Sequence, residues 1–149
     1  MRIGILGSGL MGGKLGMIFA KAGHEVIFSY SRSERKLKRL AREAEEHARA
    51  GTPRDAALDA DAVLLAVRWS RVDDMLKQAG NLSGKVILSC SLPMNTDDTK
   101  LAVAHTSSGA EALARKVRQA NVVSAEARAR RRDLSISTPL PLAFKNARS

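Results

Sequence analysis

Aromatic side chains are scarce in this sequence: three Phe, one Trp and one Tyr among 149 residues. A core must therefore rest on Ala, Val, Leu and Ile. The single cysteine, Cys90, cannot form an internal disulfide, which fits a reducing cytoplasm. Its place in an apolar run gives it the role of a small buried side chain. Three histidines (His24, His47 and His105) stand far apart and, with one cysteine, offer no metal-ligand spacing. No apolar run approaches the ~20 residues needed to span a bilayer. Arg2 precedes an apolar stretch, but Gly4, Gly7, Gly9, Gly12, Gly13 and Lys14 interrupt it, which excludes the core of a secretory signal. No internal repeat is present. The expectation is a soluble, cytoplasmic chain.

What is there is a globular composition, 44% apolar and 27% charged, on a chain long enough to bury one core. The net charge of +10 raises the question of nucleic acid, but its distribution argues against that partner. Residues 125–149 hold six Lys or Arg and two Asp or Glu, and much of the remaining excess lies between Arg32 and Arg42. A cofactor carrying several phosphates accounts for part of this excess, and a solvated helix face for the rest.

Apolar runs and helical periods alternate along the chain. Arg2–Leu6 reads as a buried strand. Leu10–Ala22 reads as a helix, with Leu15, Ile18, Phe19 and Ala22 on one face and Gly23 placed to end it. Glu25–Tyr30 is a second strand. Ser33–Arg49 is a charged helix capped by Ser31 or Ser33. A very short third strand is expected at Ala50–Thr52 and a helical turn at Pro53–Leu58. Asp61–Val67, apolar after its first residue, reads as a central strand covered on both faces. Ser70–Ala79 is helical, and Lys85–Ser91 is another buried strand. Lys100–Ala104 is read as extended, Ser108–Arg118 as a helix and Asn121–Ala125 as a last strand. This alternation predicts an α/β fold with a doubly wound, mainly parallel sheet over residues 1–125. Residues 126–149, rich in arginine and lacking an amphipathic period, read as an irregular basic tail.

The chemistry is concentrated at Gly7-Ser8-Gly9-Leu10-Met11-Gly12, a GxGxxG between a strand and a helix. Gly7 makes the tight turn, Gly9 lets the backbone approach a pyrophosphate, and Gly12 brings helix and strand together. The pyrophosphate would rest on free N–H groups at the helix N-terminus, aided by the helix dipole. The end of the second strand decides which dinucleotide fits. An NAD site places an Asp or Glu there to accept from the ribose 2′-hydroxyl. This chain has Ser31 followed by Arg32, a hydroxyl and a cation that suit a 2′-phosphate. A charged hydrogen bond of this kind is worth about 1.5–3 kcal/mol, enough for a ten-fold preference. NADP(H) is the expected cofactor.

With these pieces in view, Met1 through about Ala125 resembles the NADPH-dependent reductases of the 8-hydroxy-5-deazaflavin coenzyme, within the broader NADP oxidoreductases. The resemblance is carried by GILGSGLMGGKLGMIFAKAGHEV, by SYSRS, by DAVLLAV followed by Arg68-Trp69, and by HTSSGAEALARKV. It implies diphosphate contact at Ser8, Gly9, Leu10 and Met11, and 2′-phosphate contact at Ser31, Arg32 and Lys36. It also implies that Ala66 and Val67 line the nicotinamide ribose, and that a deazaflavin or flavin takes the hydride. The glycine turn and Ala22-Gly23-His24 also resemble β-hydroxyacid dehydrogenases. Those enzymes carry a glycine-rich substrate motif where this chain has Cys90-Ser91-Leu92-Pro93-Met94-Asn95, and an all-helical second domain. The sequence departs from the deazaflavin-reductase pattern at Arg68, where a Pro is usual, and from Glu126 onward. The tail is expected to reflect a shortened or frameshifted reading frame, leaving either a reductase or an NADP(H)-binding module without turnover. A shortened chain would also expose apolar surface that a homodimer partner could cover.

No Ser-His-Asp or lysine-based catalytic set stands out. Hydride transfer needs none, because the protein's part is to hold donor and acceptor face to face. The pairs Asp73-Asp74 and Asp97-Asp98 read as solvated faces. Trp69 either borders the nicotinamide or simply packs. The glycine turn makes one firm demand: Gly9→Val should abolish binding of NADPH and NADH alike, measured calorimetrically. Retention of either would break the assignment of Gly9 to the pyrophosphate.

Overall fold

The computed structural model describes residues 1–91, 109–127 and 142–146. The expected extended segment Lys100–Ala104, His105 and Asp97-Asp98 lie outside these residues.

Strand β1 (Arg2–Leu6) places Ile3 and Ile5 on one face and Gly4 and Leu6 on the other, as the pleat dictates. Helix α1 (Leu10–Lys21) follows after three residues and ends at Ala22, with Gly23 at φ +91°. The His24 N–H then returns to the Phe19 carbonyl, closing the left-handed cap that Gly23 makes accessible. Strand β2 (Glu25–Ser29) lies parallel to β1, and α2 (Glu34–Glu43) is capped by the Ser33 hydroxyl, which accepts from the Lys36 N–H. After β3 (Ala48–Ala50) comes α3 (Pro53–Leu58), opened by a reciprocal capping box between Thr52 and Asp55. Strand β4 (Ala62–Leu65) leads through a 3-10 turn at Trp69–Arg71 into α4 (Val72–Ala79). Strand β5 (Val86–Ser89), α5 (Gly109–Lys116) and β6 (Asn121–Ala127) follow.

Six strands run parallel in the order β3-β2-β1-β4-β5-β6, the doubly wound Rossmann arrangement. Two cores result, one per face. Ile5, Val26, Phe28 and Leu64 meet Leu15 of α1 and Leu37 and Leu40 of α2. Leu6, Val63, Leu65, Ile87 and Val122 meet Ala56, Ala57, Met75 and Leu113 of α3, α4 and α5.

Three elements differ from the sequence expectation. The helix predicted over Ser33–Arg49 stops at Glu43, because its apolar period (Leu37, Leu40, Ala44) ends there and Glu45 takes a left-handed φ of +63°. The next residues form a 3-10 turn at Glu45–His47, so β3 falls at Ala48–Ala50, two residues earlier than predicted. Within the segment read as an irregular tail, Leu142–Asn146 form β7, which pairs antiparallel with β6 at the sheet edge. Such an edge strand draws its stability from its neighbour rather than from its own short pattern. The remaining boundaries agree to within a few residues.

Leu64, 1% exposed at the centre of the sheet, sets a measurable scale. Leu64→Ala should cost about 2–5 kcal/mol in denaturant unfolding. Leu58→Ala, at a position 66% exposed on α3, should stay within about 0.5 kcal/mol of the parent chain. Equal effects would contradict the two-core packing.

Candidate cofactor site

The site lies where β1, β2 and β4 end, at the point where the chain order reverses across the sheet. Gly7 has φ +111°, and a Cβ there would stand 2.5 Å from the Ala66 carbonyl oxygen and 2.7 Å from Val67 Cγ1. Only glycine fits this approach. A Cβ on Gly12 would collide with the Gly7 carbonyl oxygen and stand 3.2 Å from Ala66 Cβ. The turn, the start of α1 and the end of β4 are therefore packed backbone to backbone, and Gly7, Gly12, Ala66 and Val67 converge there.

Gly9 faces the other way. A Cβ built on it meets nothing within 4 Å, so the turn presents open space over the helix N-terminus. Gly9 occupies the N-cap with no side-chain hydrogen bond, and the first turn of α1 holds no acidic residue. The first helical bond runs from the Gly13 N–H to the Gly9 carbonyl, which leaves the N–H groups of Leu10, Met11 and Gly12 without intrahelical acceptors. This is the donor set an anion requires. Ser8 is different, being fully buried: its N–H donates to the Tyr30 carbonyl and its hydroxyl to the Ser29 carbonyl, 2.8 Å away. The geometry gives Ser8 to the support of the turn.

At the end of β2, Ser29 is buried, its hydroxyl donating to the Ile5 carbonyl at 2.7 Å. Tyr30 follows with φ +56°, an uncommon conformation for a bulky residue, costing on the order of 1–2 kcal/mol. Its carbonyl takes the Ser8 N–H, and its hydroxyl donates to Asp74 Oδ2 on α4 at 2.6 Å. Beyond it, the Ser31 hydroxyl accepts from the Ser33 N–H, Arg32 is exposed, and Lys36 is half-buried in the first turn of α2. Ser31 and Arg32 therefore lead into the first turn of α2, where Lys36 lies, adjoining the glycine turn through Tyr30.

The sequence reading missed Tyr30 and Asp74. A lone Tyr at a strand end and one of two adjacent Asp carry no local signal, because their bond spans 44 positions. Asp73, also read as solvated, meets Lys116 Nζ at 2.7 Å on the surface. Trp69 packs against the core on the α3–α5 face. His24 approaches the N-terminal amine and the edge of Phe19, a structural role, and His47 is exposed. Burial pushes the Cys90 thiol up to about 11, in keeping with a packing role. Past the end of β4, the Cys90 N–H donates to the Leu65 carbonyl and the Ser91 hydroxyl to the Val67 carbonyl, fixing the backbone beside Ala66 and Val67. A cleft of about 430 Å³ bordered by Arg2, Glu25 and His47 opens at the opposite, N-terminal ends of β1 and β2, away from the glycine turn and the Ser31–Arg32 segment. Among the described residues, no group of His, Cys, Asp and Glu is arranged to hold a metal. No helix there is long and apolar enough to cross a membrane.

The family model described as NADP oxidoreductase, coenzyme F420-dependent, matches residues 2–93, which include every strand and turn of this site. The chain belongs to that family. Among solved structures, a protein described as a "putative F420 dependent NADP-reductase" from Arthrobacter sp. FB24 superposes with a TM-score of 0.73 at 25% identity. That alignment covers 83% of this chain and 61% of the other. A hypothetical protein from Sinorhizobium meliloti gives 0.75 at 25% identity, covering 90% and 65%. A reductive aminase from Aspergillus terreus, solved with NADPH and ethyl levulinate, gives 0.65 at 20% identity over 88% and 42%, and shares the fold. This member of the family thus spans less than two thirds of each of these proteins. No curated protein matches it.

Tyr30 is the chain's one tyrosine, so its ionisation can be read by ultraviolet absorbance without ambiguity. Burial, then the bond to Asp74, pushes its phenol up to about 12 from the usual 10. The same bond holds Asp74 below the ordinary carboxylate range. Because the folded value lies above the unfolded one, the stability this phenol contributes is complete below pH 10 and is lost as pH rises towards 12. A titration midpoint near 10 in the folded protein would contradict the bond.

Proposed function

We propose that this chain binds NADP(H) across the glycine turn and the end of β2, and serves hydride transfer between NADP(H) and a deazaflavin- or flavin-like acceptor. The observation that carries the reading is the joining of two anion-suited turns. One is the uncapped start of α1, and the other is the Ser31–Arg32–Lys36 turn tied to it through Tyr30. In this reading the N–H groups from Gly9 to Gly12 meet the diphosphate, with Ser8 bracing the turn. Ser31, Arg32 and Lys36 meet the 2′-phosphate, where a carboxylate would repel it.

The nicotinamide, when bound, supplies the hydride. The chain's own part is positional: Ala66 and Val67, held against Gly7, would border the nicotinamide ribose. Family membership supports the acceptor class, and the NADPH in the reductive aminase structure supports the cofactor by fold alone.

A second reading, a module that holds NADP(H) without turnover, draws on the end of the family match at residue 93. NADPH oxidation followed by absorbance, with a deazaflavin or a flavin as acceptor, separates the two. Reduction of either acceptor supports the first reading, and binding without reduction supports the second. For the cofactor itself, Arg32→Ala should weaken NADPH roughly ten-fold or more while leaving NADH nearly unchanged. Equal losses for both would remove Arg32 from the 2′-phosphate.

A further inference from the structure

Tyr30 stands where three segments meet. Its backbone carbonyl receives the Ser8 N–H of the glycine turn, its left-handed φ of +56° directs the chain into Ser31 and Arg32, and its hydroxyl reaches Asp74 on α4. The ring packs against the core on the α3–α5 face, so the side chain crosses from the end of β2 to the helix that follows β4. Asp74 is held in turn by Gln78, whose side-chain amide donates to the same Oδ2 at 3.0 Å. A residue other than glycine persists in the left-handed region when its surroundings over-determine it. Here both the side chain and the carbonyl do so.

We infer that Tyr30 is a positioning residue for cofactor selectivity: its hydroxyl bond to Asp74 locks the Ser31–Arg32 turn in the conformation that receives a 2′-phosphate. The inference rests on the proposed 2′-phosphate site and extends it to a side chain that need not touch the cofactor. The lock acts on one end of the site more than the other. The glycine turn keeps two further bonds to the Ser29 carbonyl, from the Gly7 N–H and the Ser8 hydroxyl, whichever side chain stands at position 30. The Ser31–Arg32 turn has no comparable brace among the described contacts beyond the local bond from the Ser33 N–H to the Ser31 hydroxyl. Releasing the hydroxyl should therefore loosen recognition of the 2′-phosphate and spare the diphosphate.

The experiment measures Kd for NADPH and NADH, by calorimetry on the full chain, for the parent, Tyr30→Phe, Asp74→Ala and Asp74→Asn. Tyr30→Phe keeps the ring and its packing, and unchanged thermal unfolding would show that the fold is intact. It should weaken NADPH roughly five- to ten-fold and NADH less than about two-fold. Asp74→Ala should do the same. Asp74→Asn, which retains an acceptor oxygen, should recover most of the selectivity. Combining Tyr30→Phe with Asp74→Ala should cost no more than either alone, because both remove one interaction. A Tyr30→Phe chain that keeps the parent's NADPH-to-NADH ratio would overturn the lock while leaving the cofactor site standing. An equal loss for both cofactors would also overturn it, reducing Tyr30 to a general structural role. A parent chain without preference for NADPH would overturn the 2′-phosphate site and the inference with it.

Discussion

The Ser29 and Tyr30 carbonyls at the end of β2 hold the glycine turn that ends β1, and the candidate site depends on that junction. Three donors of the turn are committed to them: the Gly7 N–H, the Ser8 N–H and the Ser8 hydroxyl. With Ser8 buried and its donors used, the chain swings outward at Gly9 and leaves the start of α1 uncapped. Two features that NADP(H) in particular needs together, an anion-receptive helix end and a basic turn about one strand away, are thereby fixed to each other. The junction lies wholly within the residues that match the NADP oxidoreductase family, which is why we propose it as the cofactor site.

The parallel sheet makes the junction rigid. Leu64 and Leu65 of β4 lie under it and are almost wholly buried, and the Ala66 N–H donates to the Leu6 carbonyl. Gly7 and Gly12 close the gap between β1, β4 and α1 to a distance no side chain would allow. Burial of apolar surface on both faces thus holds a polar rim at one end of the sheet, with the uncapped N–H groups at the start of α1 facing outward from it. An arrangement of this kind suits a reaction whose demand on the protein is alignment of two bound molecules.

Much of this was legible in the sequence, for local reasons. The glycine spacing, the apolar runs of β1 and β4 and the Gly23 stop each carry their signal within a few residues, and they fall where expected. Ser31 and Arg32 follow the second strand and Lys36 lies in the first turn of α2, close to where the apolar pattern put these elements. The end of α2 was not legible. Glu45-Glu46-His47 does not break a helix by propensity, and the left-handed Glu45 follows from where β3 must pair with β2. Strand β7 escaped because an edge strand of five residues is defined by its partner β6. Tyr30 and Asp74 escaped because their bond exists only once the sheet has brought the ends of β2 and β4 together. The missed residues are those whose roles arise from tertiary contact, as expected near a functional site.

In our proposal the Gly9–Gly12 amides and the Ser31–Lys36 segment form one NADP(H) site. It is tested most directly by recording backbone amide chemical shifts while NADPH is added. Shifts should concentrate at residues 9–12, 31–36 and 66–67, and the 31–36 group should respond far less to NADH. Shifts confined to the opposite, N-terminal ends of the strands, around Arg2, Glu25 and His47, or no saturable shifts at all, would contradict it.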